Sequence, residues 1–349
     1  VSGPPRTAVI VCCHLVERWD LLIRALDSLA AQEHRADQIV VVVDGDDELH
    51  DRIIARGGPE TVLATGYRSG LSHARNVGLA AVDAEFVAFL DDDAVADPSW
   101  LARLRAALLA DPDVLGAGGV ARPDWAPPAA GSAPRWFPPE LLWTVGCTHP
   151  THPTGRIRNL FGGCALYHRR VFDTVGGFDD RLGRRHRGGA GCEETELCMR
   201  ARAALPGGYF VLVPGALIRH RVHADRQRPR YLLRRCWDEG RSKATLRSIV
   251  PPMPRSATTG LAPELAFLTH AVPRGVAGGV SATLRGDGHG LVRAGMLIGG
   301  SLTTVVSFAA ATARDALSSL APSPGRPSSR PRPLPVRRPV AAEVGQDAH

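Results

Sequence analysis

Glu85-Phe86-Val87-Ala88-Phe89-Leu90-Asp91-Asp92-Asp93 runs apolar as far as Leu90 and then sets three carboxylates side by side. Adjacent carboxylates repel, so the triplet is costly unless water or a cation screens it. A lone triplet of this kind reads most simply as a solvated turn between a strand and a helix. Its surroundings change that reading. Ala8 to Cys13 is an apolar run suited to a buried strand, Leu21 to Leu29 has helical spacing, and Ile39 to Val43 is a second buried strand that ends at Asp44-Gly45-Asp46-Asp47. A helix starting near Ser72 and carrying His73-Ala74-Arg75-Asn76 precedes the strand Glu85 to Leu90. Strands alternating with helices at these intervals imply crossover connections, an α/β class and a largely parallel sheet. Ligands of such sheets bind at the carboxyl ends of the strands, where both Asp44 and Asp91 to Asp93 fall.

The chain has 349 residues and 44% hydrophobic content, ample for a core. Seven cysteines without close C-x-x-C pairs argue for reduced thiols, a cytosolic setting and no zinc site. Cys164, Cys192 and Cys198 read as small packed residues. The N-terminus shows no signal-peptide pattern. Formal charge is +7, part of it in a tail from Ala321 onward that holds five arginines and many prolines and is expected to be disordered. No aromatic-interleaved basic motif or zinc finger accompanies the charge, so nucleic acid is not the expected partner; an acidic membrane surface or a phosphorylated substrate explains it as well.

Further along, Arg122 to Arg158 is rich in Pro and Trp and reads as an irregular excursion with its own aromatic packing, of the length that usually serves function. Gly191-Cys192-Glu193-Glu194-Thr195-Glu196-Leu197 starts a helix whose first turn favours the two glutamates through the helix dipole. Composition shifts after Pro251-Pro252. The expected division is residues 1–250 as the catalytic domain, 251–320 as a helical region and 321–349 as the disordered tail. Ala294 to Ala313 has no charged residue and is long enough to span a membrane, but its glycines, serines and threonines make it weakly apolar. A span would also put the arginine-rich tail on the far side, against the positive-inside tendency. The preferred reading is a helical appendage that packs on the domain or makes peripheral contact with the cytoplasmic face of a membrane.

Taken in order, Val40-Val41-Val42-Val43-Asp44, Gly70-Leu71-Ser72-His73-Ala74-Arg75-Asn76-Val77-Gly78, Phe89-Leu90-Asp91-Asp92-Asp93, Gly176-Gly177-Phe178-Asp179 and Glu193-Glu194-Thr195-Glu196-Leu197 resemble a family-2 inverting glycosyltransferase with the GT-A fold. Each motif is short; their joint order over roughly residues 7 to 247 is specific. The chain also resembles a subgroup marked by Arg18-Trp19-Asp20, Trp143-Thr144-Val145-Gly146-Cys147, and Arg234-Arg235-Cys236 with Glu239-Gly240-Arg241-Ser242-Lys243, whose members are often assigned to polyprenyl-linked or surface glycan assembly.

The resemblance implies a Rossmann-like, mixed but mainly parallel sheet flanked by helices. It implies a nucleotide-diphosphate sugar donor, a glycan, lipid-linked or small-molecule acceptor, and Mn²⁺ or Mg²⁺. A cation bridging the donor phosphates stabilises the charge that builds on the leaving nucleoside diphosphate, and hard oxygen ligands suit it. By the same resemblance, Asp44 contacts the nucleotide base, Asp91 lies near the ribose, and Asp92 belongs to the donor site. Asp93 is the main metal ligand, and His220 supplies another, with His223 a weaker candidate. Arg75 lies near the donor, where a guanidinium fork suits phosphate or base oxygens. Glu194 is the general base, at a position where the family usually has Asp. The lack of a Gln-x-x-Arg-Trp signature and of several strong membrane spans favours transfer of one sugar per encounter over processive synthesis.

Two other functions compete. A sugar nucleotidyltransferase also sets carboxylates on an α/β sheet, but it needs a glycine-rich, lysine-bearing loop that Cys12-Cys13-His14-Leu15-Val16-Glu17-Arg18 does not provide. A non-catalytic nucleotide-binding partner subunit would keep the fold without needing Glu194.

Overall fold

The computed structural model describes residues 3–150, 152–185, 188–189, 191–250 and 260–320. The strands are β1 (Thr7–Cys13), β2 (Gln38–Val43), β3 (Thr61–Ala64), β4 (Phe86–Asp91), β5 (Ala94–Ala96), β6 (Val114–Trp125), β7 (Gly155–Ile157), β8 (Cys164–His168), β9 (Arg184–Arg185), β10 (Gly188–Gly189) and β11 (Tyr209–Val222). The helices are α1 (Trp19–Ala30), α2 (Asp47–Arg56), α3 (Leu71–Ala81), α4 (Trp100–Ala110), α5 (Arg169–Val175), α6 (Glu193–Ala204), α7 (Pro229–Ile249), α8 (Ala262–Ala266), α9 (Val272–Leu284) and α10 (Gly290–Leu320).

One nine-stranded sheet carries the molecule, in the order β3-β2-β1-β4-β8-β6-β11-β5, with β7 also on β11. Its first half, β3 to β4, is parallel throughout. Those strands are uninterrupted Val, Ile and Ala runs because helices cover both of their faces. The second half is more antiparallel than expected: β8 runs against both β4 and β6, and β5 and β7 run against β11. The reason is local. Two of these strands, β5 and β7, have only three residues each, too few for periodicity to announce them.

The excursion after Arg122 is partly regular. Its first residues finish β6; a 3₁₀ turn, Pro139–Val145, and β7 follow. Trp125, Trp136 and Phe137 pack on one another, and the cluster continues through Leu141, Leu232, Cys236 and Leu297. This aromatic packing is the floor on which α7 and α10 meet. Along α10, Gly290, Ala294, Leu297, Ser301 and Ser307 are buried at helical spacing, while Leu291, Val292, Ile298, Leu302, Val305 and Val306 face outward. Gly290–Leu317 is long and apolar enough to cross a membrane, and 28% of its most apolar window is buried. The expected boundary at Pro251-Pro252 and the expected disordered tail lie outside the described residues.

Candidate active site

A cavity of about 980 Å³ opens at the carboxyl ends of β1, β2 and β4. Asp44, Arg75, Asp91, Asp92, Asp93, Glu194 and His220, named from widely separated stretches of sequence, all line it. The register of the short antiparallel pair explains the meeting of Asp93 and His220. In it β5 Ala94 stands opposite β11 His220, and the Arg221 amide donates to the Asp93 carbonyl at 2.8 Å.

Asp93 is almost fully buried and encircled by basic side chains. His220 Nε2 lies 3.1 Å from Oδ1, Arg18 Nη1 3.1 Å and His223 Nε2 3.5 Å from Oδ2, and Arg226 3.8 Å from Oδ2. Burial opposes ionisation, but His220 and its neighbours outweigh it and hold the Asp93 carboxyl well below its usual range. Burial likewise works against a charged His220, yet Asp93 raises that imidazole to about 10. Asp92, also buried, is pushed up to about 7 by desolvation and by Asp93, against the pull of Arg18 3.2 Å away.

Asp91, Asp93 and His220 offer ligand atoms within 4.8 Å of one another. Two carboxylate oxygens and an imidazole nitrogen form a set that suits Mn²⁺, with room in the cavity for water and phosphate ligands. Buried His220 Nδ1, His223 Nε2 and Asp92 Oδ2 make no hydrogen bond. In the metal-free protein the ring of cations holds the Asp93 charge that an incoming divalent ion would take over, and the proton on His220 competes with that ion. The residues present therefore fit a divalent cation.

Arg75 lines the cavity and is also tied to the chain's own carboxylates. Its guanidinium is buried against the Phe89 and Phe178 rings, with centroids 5.6 and 5.2 Å away. It bridges carboxylates: Nη1 is 3.2 Å from both Glu193 Oε1 and Glu194 Oε1, and Nη2 is 4.0 Å from Asp91 Oδ1. One fixed cation thus holds the candidate base beside the candidate metal ligand. Burial and the Glu194 charge push the Glu193 carboxyl up to about 8 despite Arg75. Asn76 locks the same assembly from α3: its Nδ2 donates to the Phe178 carbonyl at 2.9 Å, and its Oδ1 accepts from the Phe178 amide at 2.8 Å.

Asp44 is also committed to the chain itself. Oδ1 accepts from the Ser69 amide and hydroxyl and from Thr65 Oγ1, and Oδ2 accepts from the Gly70 amide, all within 3.0 Å. Burial opposes its ionisation, and these donors more than compensate, so its pKa falls below the ordinary value. The aspartate shapes the loop that leads into α3 while still lining the cavity.

The close packing of carboxylates depends on Gly162 and Gly163, which precede β8. A Cβ at Gly162 would lie 1.9 Å from Glu194 Oε1, and one at Gly163 would lie 2.1 Å from Asp91 Oδ2. Cys192 enters α6 at φ 73°, a left-handed conformation that costs a β-carbon-bearing residue about 1 kcal/mol or more. That turn delivers Glu193 and Glu194 to the helix N-terminus facing the cavity. The thiols of Cys164 and Cys198 are pushed up to about 12 by burial, which agrees with packed residues rather than nucleophiles.

Sequence reasoning gave no role to two residues here. Arg18 was visible only as part of a short motif, and Arg226 carried no signal. At the far end of the cavity, Arg158, Glu239, Lys243 and Glu264 form a connected ion-pair group.

A GT-A arrangement, with carboxylates gathered at the ends of parallel strands beside a wide cleft, defines a sugar-transferring class, and three comparisons agree. Residues 8–176 match the profile described as Glycosyl transferase family 2. The chain is 31% identical over 238 residues to the succinoglycan biosynthesis protein ExoM of Rhizobium meliloti, covering 64% of this chain and 71% of that protein. It is 29% identical over 251 residues to a glucosyl-dolichyl phosphate glucuronosyltransferase of Haloferax volcanii, covering 70% and 79%. Among solved structures, a mannosyltransferase from Pyrobaculum calidifontis in complex with GDP-Man and Mn²⁺ shares the fold, with a TM-score of 0.58 over 90% of this chain and 88% of that one at 20% identity. The chain belongs to glycosyl transferase family 2. The expected GT-A glycosyltransferase is thereby borne out, and an inverting course is consistent with that family.

Proposed function

We propose that this glycosyltransferase moves one sugar from a nucleotide-diphosphate donor to a hydroxyl of a polyprenyl-linked glycan, working at the cytoplasmic face of a membrane. The observation that carries the reading is the convergence of Asp91, Asp93 and His220 in the cavity that also holds Glu194. Asp93 and His220 would hold Mn²⁺ or Mg²⁺, with Asp91 beside them. The ion supplies charge neutralisation for the departing diphosphate. Asp44 and Asp92 belong to the donor side of the cleft, and Arg75 keeps the donor-side and base-side carboxylates in register.

Glu194 takes the proton from the acceptor hydroxyl as its oxygen attacks the anomeric carbon opposite the nucleoside diphosphate. One bond forms as the other breaks, so the configuration inverts and no enzyme nucleophile is needed. Arg75 fixes the direction of the Glu194 carboxylate at the N-terminus of α6. Support for a lipid-linked acceptor comes from the relative whose name specifies a dolichyl phosphate, and from the outward apolar face of α10, whose Val305 also lines the cavity. On this reading residues 1–250 carry the chemistry and the helices beyond them meet the membrane.

The test is thermal stabilisation of purified protein by a panel of nucleotide sugars with and without Mn²⁺, followed by transfer to short polyprenyl-linked acceptors. A selective, Mn²⁺-dependent shift that Asp93→Asn abolishes, and a product of inverted configuration, are expected. A protein indifferent to every donor in either condition would refute the donor assignment.

A further inference from the structure

At the end of the cavity away from the Asp triplet, one carboxylate is gripped as an anionic ligand would be. Glu264, on α8, presents both oxygens to the fork of Arg158, with Nη1 2.6 Å from Oε2 and Nη2 2.7 Å from Oε1, while Lys243 Nζ from α7 reaches Oε1 at 2.7 Å. Arg158 is buried, and two more of its donors go to Asn159 and the Gly260 carbonyl. Bidentate guanidinium plus ammonium is a geometry that recognises carboxylate and phosphate alike. Lys243 also pairs with Glu239 at 3.1 Å, and Arg235 lies near enough to depress Glu239.

Charge separates this group from an ordinary structural cluster. Arg158 and Lys243 stand against Glu239 and Glu264, so withdrawing Glu264 leaves an excess of positive charge that a phosphate or diphosphate group can meet. All four residues line the cavity that holds Glu194. Beyond Glu264 the wall turns apolar through Phe267, Leu268 and Val305, and Leu268 and Val305 continue onto the outer surface.

We propose that Arg158 and Lys243 form the site for the phosphate or diphosphate group of a prenyl-linked acceptor, and that the Glu264 carboxylate occupies this site in its absence. Binding exchanges one anion for another on the same two cations. The prenyl chain then lies along Leu268 and Val305, and the sugar points toward Glu194. The naming of an acceptor rests on the glycosyltransferase reading of the same cavity; the anion site itself does not.

The experiment uses the full chain in excess chelator, where a metal-dependent donor site cannot hold diphosphate, and measures inorganic pyrophosphate and geranyl diphosphate by calorimetry. Glu264→Gln is expected to bind pyrophosphate about tenfold tighter than the unaltered protein, because the competing carboxylate is gone. Arg158→Gln and Lys243→Met, each combined with Glu264→Gln, are expected to lose that gain. Equal affinity of the Glu264→Gln and unaltered proteins would overturn the proposal. Geranyl diphosphate binding tighter than pyrophosphate assigns the lipid-linked source; equal binding overturns that part and leaves a free phosphate as the ligand. Should Glu264→Gln fail to fold, amide exchange on the unaltered protein decides: geranyl diphosphate should quicken exchange across residues 260–271, and unchanged or slower exchange refutes displacement of Glu264. Donor stabilisation with Mn²⁺, measured separately, can fail without touching either result.

Discussion

The two ends of the cavity are equally crowded with charge and balance it in opposite ways. At the sheet end, carboxylates are neighbours along the chain, fixed by strand and turn, and the cations Arg18, His220 and Arg226 gather around them. At the helical end, Arg158 is the buried member, and carboxylates from α7 and α8 come to the cations. The first arrangement has a carboxylate in need of a cation, and the second has cations satisfied by an internal carboxylate. Chemistry that releases a nucleoside diphosphate calls for the first; recognition of an anionic acceptor calls for the second. A strand end is a rigid mount for a reacting group, whereas a five-residue helix is one that can give way.

The comparison can be broken most forcefully at the base. Glu194→Gln keeps the bulk and the contact to Arg75 but cannot accept a proton, so kcat should fall on the order of a thousandfold or more with donor binding retained. A turnover assay beside donor-induced stabilisation checks this, and near-normal turnover would remove Glu194 from the role. Asp93→Asn strikes the opposite wall of the same end: transfer should drop roughly a thousandfold, together with loss of Mn²⁺ binding. It should also lower the melting temperature, because it takes the partner from His220, Arg18 and Arg226.

A subtler break is Gly163→Ala, which forces the Asp91 carboxylate aside. A displacement of this kind should cost about a hundredfold in kcat while the sheet stays intact by circular dichroism. Metal binding sharpens the contrast further. Because His220 in the metal-free protein keeps its proton up to about 10, apparent Mn²⁺ affinity should climb with pH between 7 and 9, by up to about tenfold per unit. Titrations at both pH values measure it, and a flat response would show that His220 does not surrender a proton to the ion.

The smallest expected effect belongs to the helical end. Burial raises and the Lys243 and Arg158 charges lower the Glu264 pKa, leaving it at about 2 against an ordinary 4.5. A depressed folded-state value means that its stabilisation is complete above pH 4.5 and drains away as pH falls through about 2. Glu264→Gln should flatten the melting-temperature profile in that window alone, by a few degrees at most, since Glu264 is partly exposed.

Legibility in the sequence follows the same division. The parallel half of the sheet was evident because Val9 to Val11 and Val40 to Val43 must be buried on both faces, and Asp44, Asp91 to Asp93 and Glu194 stand at element ends beside recognisable neighbours. His220 could be named through its motif, but its meeting with Asp93 is a matter of register between β5 and β11, which apolar spacing does not encode. The bridging role of Arg75 was hidden because its glutamate partners lie more than a hundred residues downstream. The Arg158 to Glu264 pair was hidden for the same reason: long-range ion pairs leave no periodic trace.

One contact within the helical end ties two of its helices together. Gly240, between Glu239 and Lys243 on α7, lets α10 approach backbone to backbone; a Cβ there would fall 2.3 Å from the Thr304 carbonyl oxygen and 2.8 Å from the Phe308 amide nitrogen. Any larger residue at that position is a wedge. Position 240 can therefore change only in step with residues 304 to 308, so α7 and α10 are a linked pair, each setting the substitutions the other will tolerate.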